Sequence, residues 1–312
     1  MNRYGTQRRA ALSLLKILAL SALSSSLSPA ANVPNEAHRR GVALYREQKY
    51  ADAIAALQEA IKTEPPETTE HGESALLIGQ SYFVLHDSPK AIPWLEQVTS
   101  VNEANYMLGY AYLQTGRQDR SVEAFARLFR LKPGSAAAHL LAGQMMLKEQ
   151  YQFQALAEVS RALELDPNIP HGHFLLGEIA LYRESLTDAL AQLQKELKID
   201  PNFSMAWYRL GDAYARQQNF DLAIPNLERA VWLNPDYSGP YILLGKCYFR
   251  QRKYSQAKKI LRGALRVDPK NRQAIYLLGQ TLVAAGRQVE GYAILKKLQP
   301  VTSEAESGGS NP

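Results

Sequence analysis

Residues 204–237 read SMAWYRLGDAYARQQNFDLAIPNLERAVWLNPDY, and their small and apolar positions divide into two groups separated by a polar stretch. Trp207, Leu210, Gly211 and Tyr214 form the first group, Phe220, Ala223, Leu227 and Ala230 the second, and Pro235 closes the stretch. The spacing predicts helix A, a tight turn, helix B and a second turn in each unit of 34 residues.

The same unit recurs along the chain. Gly109, Gly143, Gly177, Gly211, Gly245 and Gly279 are each 34 residues apart, as are Pro133, Pro167, Pro201, Pro235 and Pro269. Ser121, Ala155, Ala189, Ala223 and Ala257 form a third series at that period. A glycine inside a helix costs roughly 1 kcal/mol relative to alanine, so its recurrence predicts that two helix backbones approach closely there. The small residue twelve positions on is the expected facing contact. Proline restrains the residue before it and lacks an N–H, so Asp166-Pro167-Asn168 and Asp200-Pro201-Asn202 end one helix and turn the chain into the next.

Trp207, Leu210, Gly211 and Tyr214 match the W-x₂-L-G-x₂-Y signature, and the whole stretch resembles a tetratricopeptide repeat. The resemblance implies an all-α, right-handed superhelical solenoid of about eight repeats whose general mode of action is protein binding. With the recurring glycine as position 8, the units are 34–67, an irregular 72–101, then 102–135, 136–169, 170–203, 204–237 and 238–271, and a degenerate 272–301. Gly41 and Gly79 are 38 residues apart and Gly79 and Gly109 are 30 apart, so the second unit is irregular at both joints. Its segment EPPETTEHGE, 64–73, reads as a mobile loop. Pro93 and Pro225 share position 22, which is expected to be the first turn of helix B. Residues 302–312, TSEAESGGSNP, read as a disordered tail.

Composition changes this picture at the N-terminus. The formal charge of +6 falls to +2 once residues 1–30, with Arg3, Arg8, Arg9, Lys16 and no acid, are set aside. Nucleic acid is therefore not an expected partner. The basic start, the short apolar run Ile17 to Leu27 and the small residues Ser28-Pro29-Ala30 read as a signal peptide, cleaved after Ala30 or Ala31. The expected location is periplasmic or secreted, the mature chain having no transmembrane span; the alternative is an anchor formed by the uncleaved segment. Cys247 is the single cysteine and reads as a small packed residue.

Candidate chemistry is sparse. The six histidines include no HExxH, and His171-Gly172-His173 reads as surface histidines beside a turn rather than a metal site. Gly245-Lys246 lacks the glycine a phosphate loop requires, and neither a nucleophile elbow nor a dinucleotide fingerprint occurs. No catalytic residue, cofactor or metal is expected, and the chain reads as not an enzyme.

The resemblance implies that helices A line a concave face through positions 2, 5, 9, 12 and 13. The groove residues so named are Tyr106, Tyr110, Phe174, Glu178, Tyr208, Asp212, Arg216, Lys246, Arg250 and Tyr276. They predict an aromatic groove, acidic around Glu178 and Asp212 and basic near Lys246 and Arg250, suited to an extended peptide or a helix. The alternative is that the position 5 residues pack between helices. The family's lysine and asparagine clamp for a C-terminal carboxylate is not matched. From Lys246 to Arg272 ten basic residues accompany Asp268 alone. Lys258, Arg262 and Arg266, with Lys259 beside them, form a basic outer stripe on helix B that suits an acidic protein or another anionic surface, or else is a solvated face. The expected function is an exported, non-catalytic scaffold or adaptor for protein partners; the rival is an accessory regulatory subunit of an envelope enzyme complex for glycan processing or secretion.

Overall fold

A computed structural model of the chain describes residues 36–298. The signal-like segment 1–30 and the tail 302–312 lie outside the described residues. Among those described, every regular element is helical. The order is α1 Glu36–Arg46, α2 Tyr50–Ala60, α3 Thr69–Val84, α4 Ser88–Leu95 with a 3₁₀ turn Glu96–Val98, α5 Asn102–Gln114, α6 Gln118–Leu128, α7 Ala136–Lys148 and α8 Gln152–Leu165. It continues with α9 Gly172–Tyr182, α10 Leu186–Ile199, α11 Ser204–Arg216, α12 Phe220–Leu233, α13 Ser238–Arg250, α14 Tyr254–Val267, α15 Arg272–Ala284 and α16 Gln288–Lys296. The fold is the all-α tetratricopeptide type, each odd helix pairing with the even helix after it. The chain divides into two compact units at Ala142–Gly143, inside α7.

The glycines do mark the close approach, but their nearest neighbour is a large side chain. A Cβ on Gly211 would lie 2.6 Å from Leu227, sixteen residues on, with the carbonyl of Ala223 behind it at 3.3 Å. Gly41 over Leu57 and Gly109 over Phe125 repeat the arrangement in the first unit. The small residue lets its own carbonyl come near, while the large one fills the gap the glycine leaves. Leu57, Phe125, Leu193, Leu227 and Leu261 are all fully buried there.

Each odd helix passes to the next through one left-handed residue at position 15. These are Gln48, His86, Gly116, Gln150, Glu184, Gln218, Arg252 and Gly286, with φ between 59° and 80°. After α11, Gln218 N–H donates to Ala215 O at 3.0 Å and Asn219 N–H to Tyr214 O at 2.9 Å. That pair of bonds satisfies carbonyls the helix end would otherwise leave bare.

The segment 64–73 is not the loop its composition predicts. Its second half is the start of α3, which at 16 residues absorbs the extra length. The Thr68 hydroxyl caps the helix by accepting from His71 N–H at 3.3 Å, and Glu64 is buried against His38. The four residues lost later come out of the connection to the next repeat: α4 and its 3₁₀ turn end at Val98 and α5 begins at Asn102, with residues 99–101 between them, where residues 129–135 separate α6 from α7. Pro93 and Pro225 are not in the first turn either; each is the sixth residue of its helix. Both are exposed, as are Pro89 and Asp221 four residues before them, so the carbonyl each leaves without an N–H partner faces water.

Candidate partner-binding groove

In the first unit the two predicted tyrosines have different surroundings. Tyr106 is half-buried, whereas Tyr110 is only 4% exposed. The rings meet edge-on at 5.0 Å, and Tyr110 meets Phe125 at 5.1 Å. Tyr110 is thus part of the packing between α5 and α6, and its ring does not line a groove. His38, which stands at position 5 of the first repeat, is also internal. Its Nδ1 lies 3.1 Å from Glu64 and 2.9 Å from the Ser74 hydroxyl, and its Nε2 lies 3.5 Å from Glu73. The hydrogen bond to Glu73 raises the pKa of His38 above its ordinary value although burial works against it, and the same bond lowers that of Glu73.

In the second unit the aromatic positions are braced by rings from the inter-repeat turns. Phe174 stands edge-on to Phe203 at 4.8 Å, and Tyr208 to Tyr237 at 5.7 Å. Phe203 and Tyr237 both occupy position 34, so an aromatic at position 5 pairs with one at the end of the same repeat. The signal for it in the sequence is the recurrence of an aromatic at position 34 in the two repeats that carry Phe174 and Tyr208 at position 5. Burial against this turn raises the Tyr208 hydroxyl pKa. Tyr276 is 48% exposed and accepts a hydrogen bond from Gln280 at 2.6 Å.

The charges differ from the predicted pattern of one acidic and one basic region. Glu178 is paired with Arg209 at 2.5 Å, a residue outside the family's groove positions. Asp212 is paired with Arg216 at 2.9 Å, and Arg216 also donates to the Leu181 carbonyl at 3.3 Å. Both acids are therefore neutralised from within. Lys246 and Arg250 are exposed and make no ion pair among the described residues. A cavity of about 80 Å³ lies between α11 and α13, lined by Asp212, Arg216, Phe220, Leu243, Lys246 and Cys247. Cys247 is fully buried there, and burial pushes its thiol pKa up to about 11.

His171 and His173 have structural partners. His171 is left-handed, with φ 69°, and α9 starts only at Gly172. The fully buried Glu196 of α10 accepts from the backbone N–H groups of His171 at 2.8 Å and Phe174 at 3.0 Å. This carboxylate caps α9 from the neighbouring helix. The ring of His173 meets the Gln192 side chain at 2.7 Å.

On α14, Lys259, Arg262 and Arg266 are exposed and Lys258 is half-buried. On α12 the Arg229 guanidinium lies 4.3 Å from the ring centre of the exposed Trp232.

Family models described as tetratricopeptide repeat match residues 38–100, 102–135, 154–202 and 204–237. A model described as anaphase-promoting complex, cyclosome, subunit 3 matches 228–298. No curated protein matches the chain. Among solved structures, pilF of Pseudomonas aeruginosa is 18% identical with a TM-score of 0.51, covering 64% of this chain and 93% of that one. YrrB, described as a TPR protein with an unusual peptide-binding site, is 23% identical with a TM-score of 0.49 and coverage of 56% and 91%. MamA of Desulfovibrio magneticus RS-1 is 23% identical with a TM-score of 0.49 and coverage of 52% and 92%. With the glycine comb, the paired helices and the successive family-model matches in agreement, the chain belongs to the tetratricopeptide repeat family.

Proposed function

We propose that the protein is an exported, non-catalytic scaffold that holds an acidic segment of a protein partner against helices A of its last three repeats. The protein-interaction character follows from the repeat fold; the partner's charge is argued from the groove. Glu178 and Asp212 are each neutralised by an arginine, whereas Lys246 and Arg250 stand exposed without an ion pair among the described residues. That imbalance carries the reading. A partner carboxylate meeting these cations gains a charge-assisted contact without displacing an existing bridge. Tyr276 supplies exposed aromatic surface on the next odd helix. Export is inferred from the basic start and short apolar run of residues 1–30. No described helix is long and apolar enough to cross a membrane.

The test is a crosslinked pull-down from the native cell envelope with a C-terminal tag, the mature N-terminus being sequenced from the same sample. The expected result is a defined partner set, cleavage near Ala30, and loss of that set in Lys246→Glu/Arg250→Glu at unchanged melting temperature. Partners retained by a folded double variant refute the groove assignment, and an intact N-terminus in the membrane fraction refutes cleavage and favours the anchor.

A further inference from the structure

Four joints between successive repeats are closed by the same contact, which joins position 11 of one repeat to position 25 of the repeat before it. Gln58 donates to the Tyr82 hydroxyl at 3.4 Å, and the Tyr112 hydroxyl donates to Glu96. Gln194 donates to the Tyr214 hydroxyl at 3.2 Å, and the Tyr248 hydroxyl donates to Glu228 at 2.7 Å. Each rung pairs a tyrosine of helix A with a glutamine or glutamate of the preceding helix B or, for Glu96, of the 3₁₀ turn that continues it. The ring itself fills the joint: Tyr214 packs on the same cluster as Leu190, and Tyr248 on the same cluster as Ile224.

The joint between the fourth and fifth repeats has neither member of the pair. Ala180 stands at position 11 and Ser160 at position 25. What remains is a cavity of about 370 Å³ bounded by Leu156, Leu176, Ile179, Ala180, Arg183 and Gln192. Leu156 occupies position 21, where Leu190 and Ile224 stand at the joints that hold a tyrosine. The wall is kept while the ring is missing.

The rim adds direction. Phe153 is 79% exposed, and the Arg183 guanidinium lies 5.9 Å from its ring centre. Arg183 is exposed and makes no ion pair among the described residues, whereas Asp188, also on the rim, accepts from the Ser185 hydroxyl at 2.6 Å. Gln192 uses its oxygen on His173, which leaves its amide N–H groups to donate.

We propose that this cavity receives the side chain of a tyrosine presented by a partner polypeptide, with an acidic residue next to that tyrosine meeting Arg183. The partner supplies from outside the ring that the chain supplies for itself at four other joints. The site uses none of the groove residues, so it stands or falls separately from the groove.

The test uses the full chain with labelled alanine and isoleucine methyl groups. It is titrated with p-cresol, then with acetyl-Glu-Tyr-Glu amide and its Tyr→Ala counterpart. The expected result is saturable movement of the Ala180 and Ile179 methyl signals, with the tyrosine peptide binding at least tenfold tighter than the alanine peptide. Ala180→Tyr/Ser160→Glu closes the joint and should abolish binding while raising the melting temperature. If that variant does not fold, Ala180→Leu replaces it, since Leu282 already stands at position 11 of the eighth repeat; its binding should fall at least tenfold. Undisturbed methyl signals, equal affinity for the two peptides, or unchanged affinity in a folded filled variant overturns the proposal. Lys246→Glu/Arg250→Glu should leave p-cresol binding intact, which separates failure of the cavity from failure of the groove.

Discussion

Glu196 occupies the position where the sixth and seventh repeats carry Ala230 and Ala264, and in a linear reading it is an anomaly. Its partners are backbone groups 22 and 25 residues away, which no local pattern reports. Glu196→Ala removes both acceptors and should destabilise the second unit by about 1–3 kcal/mol, measured by denaturant unfolding. His38 makes the same point: the family's position rule places it in a groove, yet it is held between Glu64, Glu73 and Ser74. Its pKa is raised above 6.5 in the folded state, chiefly by the hydrogen bond to Glu73. A raised histidine contributes stability that is complete below the unfolded value and is lost as pH rises through the folded one. Relative to His38→Gln, the wild type should therefore have its greatest advantage in melting temperature near pH 6 and lose it towards pH 9. Glu73, lowered by the same bond, loses its contribution at the acid end, as pH falls through its folded value.

Between elements, the glycine comb was legible because every repeat meets the same steric demand. A Cβ on Gly211 would come within 2.7 Å of both Cγ and Cδ2 of Leu227. Gly211→Ala should cost about 1–3 kcal/mol, visible as a lower denaturant midpoint at unchanged slope. Tyr248→Phe removes only the hydroxyl of one rung and should cost about 0.5–1.5 kcal/mol, with helix content unchanged by circular dichroism. The irregular second repeat was legible in part. Spacings of 38 and 30 residues located the disturbance. They could not say that the surplus lengthens α3, because that follows from Thr68 capping and from Glu64 finding His38 across the turn.

For the whole molecule, fold and repeat count were written in period and composition, since packing imposes them on every unit. The groove was written only as positions. Whether Glu178 carries free charge depends on Arg209, 31 residues away, and whether Tyr110 is a surface ring depends on Phe125. Exposed side chains answer to a partner, and the chain holds no record of one. Binding of the acidic segment to the groove should weaken with added salt, because its attraction to Lys246 and Arg250 is screened at the surface; fluorescence anisotropy from 50 to 500 mM salt would measure it.

The eight turns between paired helices each force a residue to positive φ, and six of those residues are not glycine. For an ordinary L-residue that conformation costs roughly 1–2 kcal/mol, against which glycine's greater freedom in the unfolded chain sets a smaller loss. The protein thus carries the same correctable strain at Gln48, His86, Gln150, Glu184, Gln218 and Arg252, away from its core. Replacing Gln218 by glycine, as Gly116 and Gly286 already stand in their own turns, should raise the melting temperature without touching the groove. Because distant sites add, a thermostable version of this scaffold can be reached by repeating one substitution turn by turn.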